Sequence, residues 1–389
     1  MNRKKGIVIM QVTINKNDIY EYVCNLAKIA KASKREQTLE SIKFDVDGQE
    51  VSLTAYNLEI GCKVKTVASA FSTDKFTFLV NAALLQSCLA KAPSNENITF
   101  DVSDVNVEIK YKKTKYKIST MDVNSFPEIP EVGNKTEQSE MLCKDYIKGV
   151  NSTLYCSLAE ESCGSARQYL GVNITQRDNE TYFKTLDGYR AAQFGVESKN
   201  GNNIFTFTIP KNSARYIKDT VEKKANEESK MSICKSDNLA VFNFAEYQIF
   251  TRTFCSEEFD FERIKPTNAP AVIVEASKEN LIEAIESVLP ITENAVRNPL
   301  KISFDNDSLV LGCHSQVGKT EVNFVPDNME NNKSIEFIGV NVNFVLDALK
   351  AIDAESVTIK FMSAVSPIVI ENDTNRQNWA IVLPMRIKA

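Results

Sequence analysis

Phe205-Thr-Phe-Thr-Ile-Pro-Lys-Asn-Ser-Ala-Arg-Tyr-Ile-Lys-Asp-Thr-Val221 reads as a short strand running straight into a helix. Phe205, Phe207 and Ile209 alternate with Thr206 and Thr208, the two-residue period of a strand with one buried face. Pro210 ends that ladder, and the spacing places it in the first turn of the helix, where a missing N–H costs nothing. The same pattern occurs at Phe76–Val80 running into Asn81–Ala90, and at Glu336–Val340 running into Asn341–Lys350. The copies lie roughly 130 residues apart, which is the length of a domain and not of a solenoid repeat.

At 389 residues the chain has room for two or three domains that each bury a core. Hydrophobic residues at 43% and charged residues at 25% are globular values. The net charge of −5 argues against a simple basic nucleic-acid binder, although an acidic total can hide a basic face. No run approaches the roughly 18 apolar residues of a membrane span. The first nine residues are too short for a secretory leader, and they are read as a tail. Nine scattered cysteines without a CxxC pair point to free thiols in a reducing cytoplasm, and to neither zinc nor a disulfide framework.

Each copy carries the same elements in the same order. In the first, a strand at Gln11–Ile14 precedes a helix over Lys16–Ala30, with Ile19, Val23, Leu26 and Ala30 as its apolar stripe. A hairpin across Asp47-Gly48, the strand-helix unit and three more strands follow. The second copy predicts a helix over Lys144–Ala159, and the third a helix over Lys278–Val288 and a last strand over Trp379–Met385. Pro384 should free Met385 and Ile387 from regular pairing. Polar, proline-bearing linkers at Phe126–Asn134 and Lys265–Pro270 separate the copies. The expected fold class is therefore α+β: three similar domains of two helices packed on antiparallel sheets, at residues 10–137, 138–266 and 267–389.

The sequence makes no positive case for an enzyme. The single histidine, His314, would have to serve any Ser-His-Asp or Cys-His site, and no phosphate-loop, dinucleotide or HExxH pattern occurs. No cofactor or metal is implied. The lysines and arginines are more informative. Lys28, Lys31, Lys34 and Arg35 cluster at the end of the first helix, and Lys211, Arg215 and Lys218 share one face of the helix in the opening stretch. Such a stripe can follow phosphates without reading bases, whereas the third copy offers Glu279, Glu283 and Glu286 instead.

Leu186-Asp-Gly-Tyr-Arg190, the ending Val382-Leu-Pro-Met-Arg386, the junction segments Phe126-Pro-Glu-Ile129 and Phe259-Asp-Phe-Glu-Arg-Ile-Lys-Pro266, and the triple repeat together resemble the bacterial sliding clamp, the β subunit of DNA polymerase III. The resemblance covers nearly the whole chain from Met10. It implies a head-to-tail homodimer closed as a ring around duplex DNA, a processivity factor in the cytoplasm with no catalytic site of its own. Lys34, Arg35, Lys211, Arg215 and Lys218 would then face DNA.

The resemblance further implies a cleft between the second and third domains for short peptides of the replicative polymerase, the clamp loader and repair proteins. Its matching positions are Leu170, Leu186, Gly188, Tyr189, Arg190, Phe259, Arg263, Ile264, Phe344, Val365, Pro367, Ile381, Leu383, Pro384, Met385 and Arg386. Ring closure would use Tyr116 and Ile118 on one edge strand, against Ile291 and Thr292. Tyr189 stands where the family often has histidine, Ala191 where a larger aliphatic residue is common, Phe259 at a frequent proline position, and Thr292 at a usually apolar one. Two other readings stay open: a three-domain peptide-binding protein that does not encircle DNA, and a hydrolase built on His314.

Overall fold

The computed structural model describes residues 10–31, 37–72, 75–130, 137–158, 169–199, 204–254, 260–292, 299–305, 307–332 and 335–387. Its helices are α1 (Lys16–Lys31), α2 (Ala82–Ala90), α3 (Cys143–Thr153), α4 (Lys211–Lys224), α5 (Lys278–Glu286) and α6 (Val342–Ala351). Two belong to each copy of the repeat, and strands in antiparallel pairs supply the rest. The stripe Ile19, Val23, Leu26 and Ala30 of α1 is buried throughout. Among the described residues no helix is long and apolar enough to cross a membrane.

The strand-helix unit starts each second helix by a local device. Asn81 caps α2 by accepting the N–H of Leu84 at 3.1 Å, and Asn341 caps α6 by accepting those of Asn343 and Phe344. Pro210 holds the equivalent place in the middle copy. It is the last residue of the strand Phe205–Pro210, opposite Gly171, and α4 begins one residue later, so it does not sit in the helix's first turn. A strand end needs no donor from it, which is why proline fits there as well. Gly171 is dictated by this pairing: a Cβ on it would lie 1.8 Å from the carbonyl oxygen of Ile209.

Two other expectations change. Helix α3 stops at Thr153, and a 3₁₀ turn, Leu154–Cys156, follows. Thr153 turns its hydroxyl back onto the Gly149 carbonyl at 2.7 Å, a bond that loosens a helix end. The last strand covers only Trp379–Val382.

The middle copy is divided between two compact units. One comprises Met1–Gln138 with Lys223–Arg252, the other Ser139–Glu222 with Thr253–Ala389. The division follows the sheets. In the first unit the strands Lys230–Ser236, Leu239–Phe244, Tyr247–Arg252, Ile60–Val67, Glu50–Tyr56, Ser41–Asp47 and Lys75–Asn81 run side by side in that order. The second copy's strand Tyr247–Arg252 thus pairs with the first copy's Ile60–Val67. In the second unit a nine-stranded sheet joins the strand Arg190–Glu197 to Trp379–Val382, and so the second copy to the third. The third copy's core lies between α5, α6 and the two sheets of that unit, with Leu281, Ile285, Val345 and Leu349 all buried.

Gly171→Ala is expected to destabilise the protein by about 2 kcal/mol or more, because the obstacle is backbone and cannot rotate away. Urea unfolding followed by circular dichroism reads this as a lower midpoint.

Candidate functional site

The site begins with a turn. Asp187 Oδ1 accepts the N–H groups of Tyr189 and Arg190, each at 3.0 Å, and Gly188 between them has φ +88°, where glycine alone is unstrained. This turn directs the Tyr189 carbonyl at the N–H of Leu383, 2.8 Å away, just past the end of the last strand. Arg190 then begins the ladder opposite Val382.

Arg190 is the hub of one face. Its Nε meets Asp187 Oδ2 at 2.9 Å, its Nη1 meets Asp347 Oδ2 at 2.6 Å, and its Nη2 donates to the Tyr155 carbonyl at 3.0 Å. The guanidinium carbon lies 4.2 Å from the centre of the Phe344 ring. Phe344 and Asp347 both come from α6, three residues apart and hence on one helical face. The Tyr189 and Phe344 rings lie 6.4 Å apart, and Tyr189 is 65% exposed, so an aromatic surface is open beside the arginine.

The chain end completes this face. The ladder stops at Val382, earlier than the expected Met385, yet the tail beyond it is not free. Pro384 bridges Val340, and the Met385 N–H donates to the Gly339 carbonyl at 2.7 Å. Gly339 permits that approach, since a Cβ there would lie 2.6 Å from Ile387 Cγ1 and 2.7 Å from the Met385 oxygen. Leu383 and Arg386 are exposed, while Pro384 and Met385 are partly covered.

The opposite face of the same strands carries a second apolar patch. Register sets Leu186 opposite Ala191, and Ala191 opposite Ile381. Leu186, Ile264 and Met362 pack on a buried cluster of Ala191, Phe261, Val369, Trp379 and Ile381. Val365 is 83% exposed in the loop leading to Pro367, and Arg263 is exposed with its Nε 3.0 Å from Asp260. Leu170 is buried, and its carbonyl takes the Lys211 N–H. Phe259 lies outside the described residues. Some of the expected positions thus fall in two groups, Tyr189, Arg190 and Phe344 on one face and Leu186, Ile264 and Ile381 on the other, with Leu383 bonded to the Tyr189 carbonyl. Asp187, Asp347 and Tyr155, which hold Arg190, were not among them. The spacing of Asp347 from Phe344 was the available signal for one.

The junction of the first and second copies repeats this backbone with different side chains. Asn57 Oδ1 accepts from Glu59 and Ile60, Leu58 has φ +75°, and the Arg252 N–H donates to the Glu59 carbonyl at 2.9 Å. By register Tyr56, Gly61 and Phe250 replace Leu186, Ala191 and Ile381. The Phe250 ring covers Gly61, where a Cβ would lie 2.1 Å from it, and the Tyr56 ring sits 5.4 Å away. The chain's own aromatic rings fill that position.

The basic residues are unequal. Lys211 is half-buried; burial, with repulsion from Arg215 and Arg190, pulls its ammonium below the ordinary lysine range. Arg215 is exposed. Lys218 lies 3.2 Å from Asp219 and 3.7 Å from Glu222. Lys34 and Arg35 lie outside the described residues. Tyr116 and Ile118 are on the edge strand Thr114–Ser119, with Ile118 buried and the Tyr116 hydroxyl 3.2 Å from that of Tyr111. Ile291 and Thr292 follow α5. Thr292 meets the Val288 carbonyl at 3.3 Å and the Cys313 sulfur at 3.4 Å. His314 ends the strand Ser308–His314 and is exposed.

A unit of two helices on antiparallel sheets, occurring three times among the described residues, defines a DNA-clamp architecture. A Pseudomonas aeruginosa DnaN sliding clamp bound to griselimycin superimposes with a TM-score of 0.87 at 18% identity, over 97% of this chain and all of that one. A Bacillus subtilis DNA polymerase sliding clamp gives 0.88 at 17% identity, over 98% and 100%. The family model for the N-terminal domain of the DNA polymerase III beta subunit matches residues 10–130, and that for its C-terminal domain matches residues 262–386. The beta sliding clamp of Rickettsia felis is 22% identical over 89% of this chain and 92% of its own, and that of Synechococcus elongatus 20% over 98% and 100%. The chain belongs to the DNA polymerase III beta subunit family, the bacterial sliding clamps.

Arg190→Ala should lower stability by about 3 kcal/mol, because it takes the partner from Asp187 Oδ2 and from the Tyr155 carbonyl and removes the cation from the Phe344 ring. Arg190→Lys should not restore it, since a lysine has no fork to reach three partners. Chemical denaturation of both variants checks this.

Proposed function

We propose that this chain works as a replicative sliding clamp in the cytoplasm, closing as a homodimer around duplex DNA and tethering a polymerase by a peptide held in the Arg190–Met385 groove. The role is topological and needs no catalytic group. The observation that carries it is the family match at both ends of a chain whose element order repeats three times. The edge strands Thr114–Ser119 and Lys319–Phe324 offer unpaired ladders for ring closure. Light scattering after gel filtration should give twice the chain mass at micromolar concentration, and a strict monomer would count against the ring.

The groove would offer a short peptide an aliphatic patch at Leu186 and Ile264 and an aromatic one at Tyr189 and Phe344, with the exposed Leu383 bonded to Tyr189. Removing residues 385–389 takes away the strap over Gly339 and should abolish peptide binding while leaving the dimer assembled. Griselimycin, bound by the Pseudomonas aeruginosa relative, should compete with such a peptide here.

Lys211 and Arg215 attract phosphate without reading sequence, which suits a ring that must slide. Replacing Lys211, Arg215 and Lys218 together with alanine should weaken retention on duplex DNA and flatten its salt dependence. Lys218→Ala alone should do least, because Asp219 and Glu222 already offset that charge. Retention measured at several salt concentrations separates these outcomes.

A further inference from the structure

The end of the second copy forms one short 3₁₀ turn, Phe261–Arg263, closed by the Ile264 N–H on the Phe261 carbonyl at 3.3 Å. So short a turn has little stability of its own. Its side chains supply the hold. Phe261 is buried, with its ring 6.1 Å from that of Trp379 and Lys184 Nζ 5.7 Å from its centre. Lys265 lays its ammonium 5.4 Å from the centre of the Trp379 ring and 2.8 Å from Glu371 Oε1. Glu371, 5% exposed, gives its other oxygen to Lys360 on the neighbouring strand Ser356–Phe361. Burial alone would push the Glu371 carboxyl upward; the bonds from Lys265 and Lys360 outweigh it and hold the group below its ordinary range.

The position of this pair gives it a consequence. Glu371 lies directly opposite Trp379, and Ile381 follows two residues later on the same face. Ile264, next to Lys265 in sequence, packs on the cluster containing Ile381. We infer that Lys265 is a positioning residue for the peptide groove: its ion pair with the buried Glu371 clamps the linker onto the sheet, and so fixes Ile264 and the aliphatic patch before a peptide arrives. The inference rests on the groove reading above. A clamp of this kind lowers the ordering cost of binding and adds no contact to the ligand.

Lys265→Met removes the charge, and with it both the ion pair to Glu371 and the ammonium's contact with the Trp379 ring, while keeping an unbranched side chain. The full-length protein is titrated with a fluorescein-labelled synthetic hexapeptide carrying one aliphatic side chain for the Leu186–Ile264 patch and one aromatic ring for the Tyr189–Phe344 patch, read by anisotropy. Emission of Trp379, the chain's single tryptophan, is recorded in parallel. Lys265→Met should weaken binding about fivefold and shift Trp379 emission, as loss of one charged hydrogen bond at a partly exposed site predicts. Lys265→Arg should bind like the parent. Glu371→Gln should weaken binding at least as much as Lys265→Met. Parent-like affinity in Lys265→Met, or equal losses in Lys265→Met and Lys265→Arg, would overturn the inference. If the unaltered protein does not bind the peptide, the groove reading itself fails and this inference with it; a parent that binds beside an unaffected Lys265→Met isolates failure of the clamp alone.

Discussion

The candidate site depends on one backbone ladder, the antiparallel pairing of Arg190–Gln193 with Trp379–Val382. It joins the middle of the chain to its end, and every groove element is placed relative to it. Alternation along the two strands sends Ile381 and Ala191 to one face and Arg190 and Val382 to the other. A slip of one residue would exchange the faces, putting an arginine among apolar side chains and an isoleucine among carboxylates. The turn at Asp187-Gly188 and the packed strap over Gly339 hold the two ends of that register.

Most of the fold was legible because the chain states it three times. Alternation in Phe205–Ile209 and the stripe in α1 each admit one period, and they recur at domain spacing. The end of α3 was not legible. Asn151-Ser152-Thr153 keeps an acceptable helical pattern, and the change to a 3₁₀ turn at Leu154 has no marker in it. Pro210 was placed one residue late for a similar reason, because proline suits both the last strand position and the first helical one.

The groove was legible as a set of residues and not as a shape. Gly188 and Pro384 announce a turn and a strand end, but the bond from Met385 to Gly339 depends on a strand some 45 residues upstream. Nor could spacing reveal that Arg190 is held by three oxygen partners, one of them a backbone carbonyl at Tyr155. Lys265 read as one more linker charge until the buried Glu371 appeared beneath it.

The two junctions separate what backbone specifies from what side chains specify. Both have the side-chain-capped turn, the left-handed residue and the N–H returning to its carbonyl. At the first junction, however, Gly61 makes room for Phe250, and burying that ring contributes on the order of 2 kcal/mol to the unit's stability. At the second junction Ala191 and Ile381 take those places, and Leu186 and Ile264 stay only partly covered. The exchange replaces two packed rings by smaller aliphatic side chains and leaves Leu186 and Ile264 partly exposed. One backbone, used twice, is therefore closed by aromatic rings at the first junction and left with an apolar, partly exposed edge at the second, the difference on which the proposed peptide site rests.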